Sequence, residues 1–376
     1  MQKGFCLIFI FLVAEVVYTG DFYEGDSVVS AGVYAFYNYE FEKAINILTT
    51  ARSEFPEHPG VHLIWAASRW VNAQANEDVE QTYVTLEKDL EEIIPVYDSL
   101  VYKYDYDNNY KLYLGSAKGL VARVSLGKKQ WIKTFYNAYG GFVIINKVAR
   151  STPDLIDAQL PIGIVEYYAG INTPILRFIL GLYDIEPSTE SGLKKIALAA
   201  DEGHWSWIEA KAILCNLYLW VENEPILAIE HSKVLAQRFP NNFYFNLLFL
   251  ESMIRTVNND VTKALLREME NKSHELSDRQ KDWYIPYLEY EKALFAFYQK
   301  DYLLSLELVR YAIDNYTAEL DLVLGHAYLL QGMVYDKLYK RGKAKESYYD
   351  CIRLDNYSGA IVKAKKYLKE PFIRIE

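Results

Sequence analysis

A chain of 376 residues, 51% of them hydrophobic, is long enough to bury a continuous core. By length alone it would make two or three ordinary domains, but a chain that grows by repetition escapes that rule. A net charge of −10 excludes phosphate-neutralising nucleic-acid binding over most of the chain. Lys and Arg gather only at the C-terminal end, from Lys337 to Lys369, which reads as the solvated face of terminal helices.

In chain order, Lys3, the apolar run Phe5–Ala14 and Glu15 give residues 1–19 the pattern of a secretory signal peptide. The run is too short to span a bilayer, and Cys6 lies inside it with no lipobox. Export to a periplasm or the outside is therefore expected, without a lipid anchor. Residues 20–26 read as a linker. A helix pair follows at 27–56, with Gly32, Ala44, Leu48 and Ala51 where the two helices touch, Asn38-Tyr39 at the turn and Pro56 closing it.

Pro59–Asn76 supplies the next helix, and 78–113 a long one interrupted near Pro95, with Tyr102–Tyr110 as helix end and loop. Between Leu112 and Gly181 glycine and alanine thicken. Glycine inside a helix costs about 1 kcal/mol against alanine, so their number points to close helix crossings. Helices are expected at 109–126, 130–150, 155–170 and 174–183.

Ser188 caps a helix that ends at Gly203. Pairs at 207–240 and 242–272 follow, and Ser277 with Gln280 forms a capping box ahead of the pair at 286–317. A last pair at 325–356 turns at Lys340–Lys343, and a closing helix spans 359–369 before the tail 370–376. Cys215 and Cys351 fall at core positions several repeats apart and read as buried free thiols.

In the last pair, Tyr328, Gly332, Tyr335, Ala344, Tyr348, Cys351 and Asn356 keep one spacing. The pairs at 27–56, 209–240 and 286–317 repeat it, for example as Ala293, Ser305, Val309, Ala312 and Thr317. This pattern resembles the tetratricopeptide repeat (TPR) superfamily. The resemblance implies an all-α, right-handed superhelical solenoid of antiparallel helix pairs, irregular in the middle. It divides into an N-terminal half at 27–205 and a C-terminal half at 206–369.

It also implies a non-catalytic scaffold that binds a protein or peptide partner, in association with a cell-envelope complex. The first helix of each pair would line an inner groove. That mapping selects Phe36, Tyr37, Leu217, Trp220, Tyr287, Tyr290, Phe297, Tyr298, Asp336 and Lys337. So aromatic a groove suits an apolar peptide or a stacked glycan, and the alternative role is carbohydrate binding or uptake.

Motifs for chemistry are weak. Asp105, Asp107 and Asn109 begin like a calcium loop, but Tyr110 and Ser116 stand where glycine and glutamate are needed. The histidines are scattered, no HExxH or CxxC occurs, and Gly140-Gly141 lacks a following Lys-Ser/Thr. No cofactor, metal site or enzyme activity is expected. Trp205 and Trp207 beside His204 read as a hydrophobic plug before a sugar platform.

Overall fold

The computed structural model describes residues 23–127, 130–171, 188–256, 260–318 and 321–373. The expected signal peptide and the helix at 174–183 lie outside them. All regular structure among the described residues is helical.

Helix α1 (Asp26–Tyr37) pairs with α2 (Phe41–Glu54), α3 (Val61–Asn76) with α4 (Val79–Lys103), and α5 (Asn108–Gly127) with α6 (Trp131–Ser151). A 3-10 turn, Ile156–Ala158, leads into α7 (Gln159–Gly170), which packs on α8 (Thr189–Glu202). Next, α9 (Trp207–Asn216) runs on through a π turn (Leu217–Val221) and pairs with α10 (Pro225–Arg238). The remaining pairs are α11 (Phe243–Thr256) with α12 (Asp260–Ser273), α13 (Asp278–Tyr298) with α14 (Tyr302–Asp314), and α15 (Leu322–Lys337) with α16 (Arg341–Arg353). Helix α17 (Gly359–Lys369) closes the described chain over α15 and α16. The architecture is a TPR-like solenoid of helix pairs.

The four pairs in clearest register share one turn. Tyr39, Asn223, Lys300 and Tyr339 all adopt left-handed backbone, with φ of 62°, 59°, 65° and 58°. Each follows its own register residue, Gly32, Asn216, Ala293 or Gly332, at one fixed spacing. Beyond three of these turns, the N–H of Glu40, Asp301 and Lys340 reaches back to Ala35, Ala296 and Tyr335 at 2.8–2.9 Å. This satisfies a carbonyl the helix end leaves free. After α9 the bond runs one residue further, from Glu224 N–H to Tyr218 O at 2.7 Å, because the π turn widens the backbone there. The last of these turns lies at Leu338–Lys340, just before the expected Lys340–Lys343.

Close approach explains the small residues. A Cβ on Gly332 would strike the ring of buried Tyr348. A Cβ on Gly141 would meet Gly115 O at 2.6 Å, and one on Gly192 would meet Gly163 O at 2.6 Å. The α5–α6 and α7–α8 crossings thus require bare backbone. Gly119 and Gly140 face open space.

One expected break is corrected. Helix α4 continues through Pro95, because the carbonyl that proline cannot bond belongs to an exposed turn, where water takes it. Likewise α13 begins eight residues ahead of Pro286 and runs through it, started by the Ser277–Gln280 capping box. Both cysteines are free and buried, and burial pushes the Cys351 thiol up to about 12.

The solenoid closes on itself. The first turn docks on a loop 203 residues away, where Asn241 N–H donates to Asn38 Oδ1 at 3.0 Å and Asn242 Nδ2 donates to Tyr37 O at 2.8 Å. The hydroxyls of Tyr39 and Tyr284 pair at 2.8 Å, and Ser277 Oγ donates to Ala75 O. Farther along, the π turn after α9 touches both α15 and α17.

Candidate functional site

The residues mapped to an inner groove divide by burial. Leu217, Trp220, Tyr287, Tyr290 and Phe297 are buried, which corrects the expectation that they face a ligand. The physical reason is closure: with α9, α11, α13 and α15 drawn together, their inner faces become core. Phe36, Tyr37 and Tyr298 keep partial exposure. Asp336 holds the C-terminal end instead, accepting from Arg341, from Tyr348 Oη at 2.9 Å and from Phe372 N–H at 2.8 Å. Lys337 sits over the Phe372 ring.

That core has a charged centre which the sequence reading missed. Glu251 of α11 accepts from Trp220 Nε1 (2.9 Å), Tyr287 Oη (2.9 Å) and Arg255 (3.1 Å). Arg255 also donates to Leu219 O at 2.6 Å and to Asn223 Oδ1 at 2.5 Å. His326 meets Trp220 O at 3.0 Å, which fixes its Nε2 as the protonated nitrogen. Arg255 and His326 therefore take up two of the π turn's carbonyls, Leu219 O and Trp220 O.

Beside Glu251 lies Glu291, fully buried, with Glu251 itself as the neighbour its carboxyl group shares a hydrogen bond with. Burial first, and then the neighbouring Glu251 charge, hold the Glu291 carboxyl well above the usual carboxylate range. Burial and Arg255 pull His326 down to about 3, and Lys363 down to about 8. The readable signal was Glu251 and Arg255 one helical turn apart inside the apolar run of α11.

Two hollows are formed by described residues. On α14, Ser305, Val309 and Ala312 face inward. Leu303, Leu306, Glu307, Arg310, Tyr311 and Asp314, at helical spacing, line an outer hollow of about 500 Å³. Leu303 is 69% exposed and Tyr311 48%. The second opening is a cavity of about 460 Å³ where the N-terminal pairs meet the chain junctions before α7 and α9. Tyr23, Tyr113, His204 and Trp205 supply its rings, and Asp154, Asp157 and Glu202 its charges.

Both motifs that looked weakest in sequence converge on this cavity. Asp107 accepts Tyr23 Oη at 2.6 Å and Asn109 N–H at 2.9 Å, so the Asp-rich segment braces the cavity wall. Trp205 lines the cavity, whereas Trp207 packs on Phe239 with ring centres 6.0 Å apart. Among the described residues, no three of His, Cys, Asp and Glu gather closely enough to hold a metal ion. No described helix is long and apolar enough to cross a membrane.

No protein-family model matches this chain, and no curated protein matches it. Among solved structures, the crystal structure of yeast Tom70 is similar, with 11% identity and a TM-score of 0.35, over 93% of this chain and 90% of that one. At that score the two chain paths diverge too far for one to be read from the other.

Proposed function

We propose that this chain is a non-catalytic helical-repeat scaffold that docks a protein partner on the outer face of α14. The observation that carries this reading is the pair of exposed residues Leu303 and Tyr311 with half-buried Leu306 between them, flanked by Glu307, Arg310 and Asp314. Apolar residues one and two turns apart, rimmed by both signs of charge, suit the apolar face of a partner helix. Closure of the interior supports an outer surface over the inner groove, leaving Phe36, Tyr37 and Tyr298 as the aromatic groove positions that keep partial exposure.

The test is affinity capture with Leu303→Glu and Tyr311→Ala. Both side chains are exposed, so circular dichroism should stay unchanged, while specific partners fall at least tenfold. An unaltered partner set would remove α14 as the docking face. Export and association with a cell envelope rest on Lys3 and the Phe5–Ala14 run. Mass spectrometry that finds Met1–Gly20 retained on the mature chain would reject them. Glycan binding, the alternative role, rests on exposed rings such as Tyr102, Tyr106 and Tyr339 and fails if glycans leave tryptophan fluorescence unchanged.

A further inference from the structure

The cavity beside α5 is built unlike the rest of the surface. Its volume of about 460 Å³ falls within the ~300–1,000 Å³ span of small-molecule sites. Its walls come from chain segments far apart in sequence, so folding alone assembles it. Tyr23 and Tyr113 line it, and so does the Trp205 ring, which stacks with His204, centres 4.6 Å apart and planes 24° apart. Tyr23 is fixed in turn by its hydroxyl bond to Asp107 and by an edge contact with His58 at 5.8 Å. The aromatic faces are therefore held in place before any ligand arrives.

The polar lining is one-sided. Asp154, Asp157 and Glu202 are its charged carboxylic groups, and among the described residues no Lys or Arg lines it. Asp157 is already engaged, accepting from Ser206 Oγ at 2.7 Å and from the backbone N–H groups of Trp205 and Ser206. Asp154 and Glu202 are exposed and offer their oxygens to a ligand. Asp107 stands behind Tyr23 and adds negative potential, whereas Asp26 is paired with His58 at 2.7 Å. A sugar needs donors and acceptors in comparable number. Here the carboxylates among the described lining residues are unopposed by Lys or Arg, and ring faces attract positive charge.

We propose that this cavity binds a small organic cation, an ammonium or guanidinium group carried on an apolar body. The cation faces Asp154 and Glu202 while its body lies against Tyr113 and Trp205. Scaffold docking on α14 uses a different surface, so the two functions stand or fall separately.

The test titrates the full chain with choline, agmatine and spermidine, and with maltose and inositol as neutral controls, following melting temperature and tryptophan fluorescence. At least one cation should raise the melting temperature saturably, more weakly at high salt, while the neutral probes do nothing. Affinity should fall at least tenfold in the double variant Asp154→Asn, Glu202→Gln. Those side chains are exposed, so this variant keeps its fold even where Trp205→Ala, at the start of α9, does not. Displacement of agmatine by a lysine peptide, but not by its acetylated form, assigns the cation to a partner's side chain. Failure to displace assigns it to a free amine. No response to any cation, equal binding of maltose, or binding unaltered in the double variant would each overturn the proposal.

Discussion

Glu291 lies wholly out of water and sits against a second carboxyl group, Glu251, so its protonation is tied directly to folding. Its folded pKa is raised above the ordinary 4.5, so the native state holds a proton that the unfolded chain releases. Stability from this group is complete below about 4.5 and drains away as pH rises. His326 works in the opposite sense. Its folded value of about 3 lies below the ordinary 6.5, so its contribution is complete above 6.5 and is lost as pH falls toward 3. Thermal melts against pH should show Glu291→Gln more stable than wild type above about pH 5, by at most about 1.4 kcal/mol per pH unit. Near pH 4 the two should coincide. His326→Gln should flatten the acid limb instead. Parallel curves for all three proteins would mean that the buried centre does not govern pH stability.

Among the elements, the left-handed turns are the most regular feature, and each side chain there carries a different load. Tyr339 is 96% exposed at φ 58°, so it contributes strain and no packing. Tyr339→Gly should stabilise the protein by about 0.5–1 kcal/mol, read from the denaturant midpoint. Tyr39 shares the backbone but lies 5.0 Å from the Phe41 ring and bonds Tyr284, so Tyr39→Gly should destabilise. The register behind these turns was legible in sequence because a helix pair packs locally, so Gly332 and Tyr348, or Gly32 and Leu48, announce their contact by spacing alone. The π turn was not legible. Nothing in Leu217–Val221 departs from helical composition, and its cause is Arg255 and His326 on other helices. The candidate cavity was half visible: Asp107 and Trp205 stood out singly, but no spacing revealed that they share one wall.

At the scale of the whole molecule, closure explains why rings marked for a groove became core. Burial of Trp220 and Tyr290 depends on helices distant in sequence, which a local repeat pattern does not encode. Closure combines ring packing of Tyr34 and Tyr37 on Phe239 with a set of hydrogen bonds. Each bond is worth about 0.5–1.5 kcal/mol net, so the double variant Asn38→Ala, Tyr284→Phe should lower protection of α1 and α2 amides by about 1–3 kcal/mol. Hydrogen exchange should leave α15 and α16 unaffected. Uniform loss across the chain, or none, would show that the first pair is held in some other way.

The bond between Asn38 and Asn241 also governs how this chain acquires its structure. An open solenoid nucleates anywhere and propagates from neighbour to neighbour, so its contact order is low and partial chains are native-like. Here the first pair waits for a partner made 203 residues later, with its Tyr37 face uncovered during synthesis. Closing that loop costs entropy before any contact repays it. Folding therefore ends in a slow, long-range step, and unfolding begins where folding finished, at the N-terminal pair.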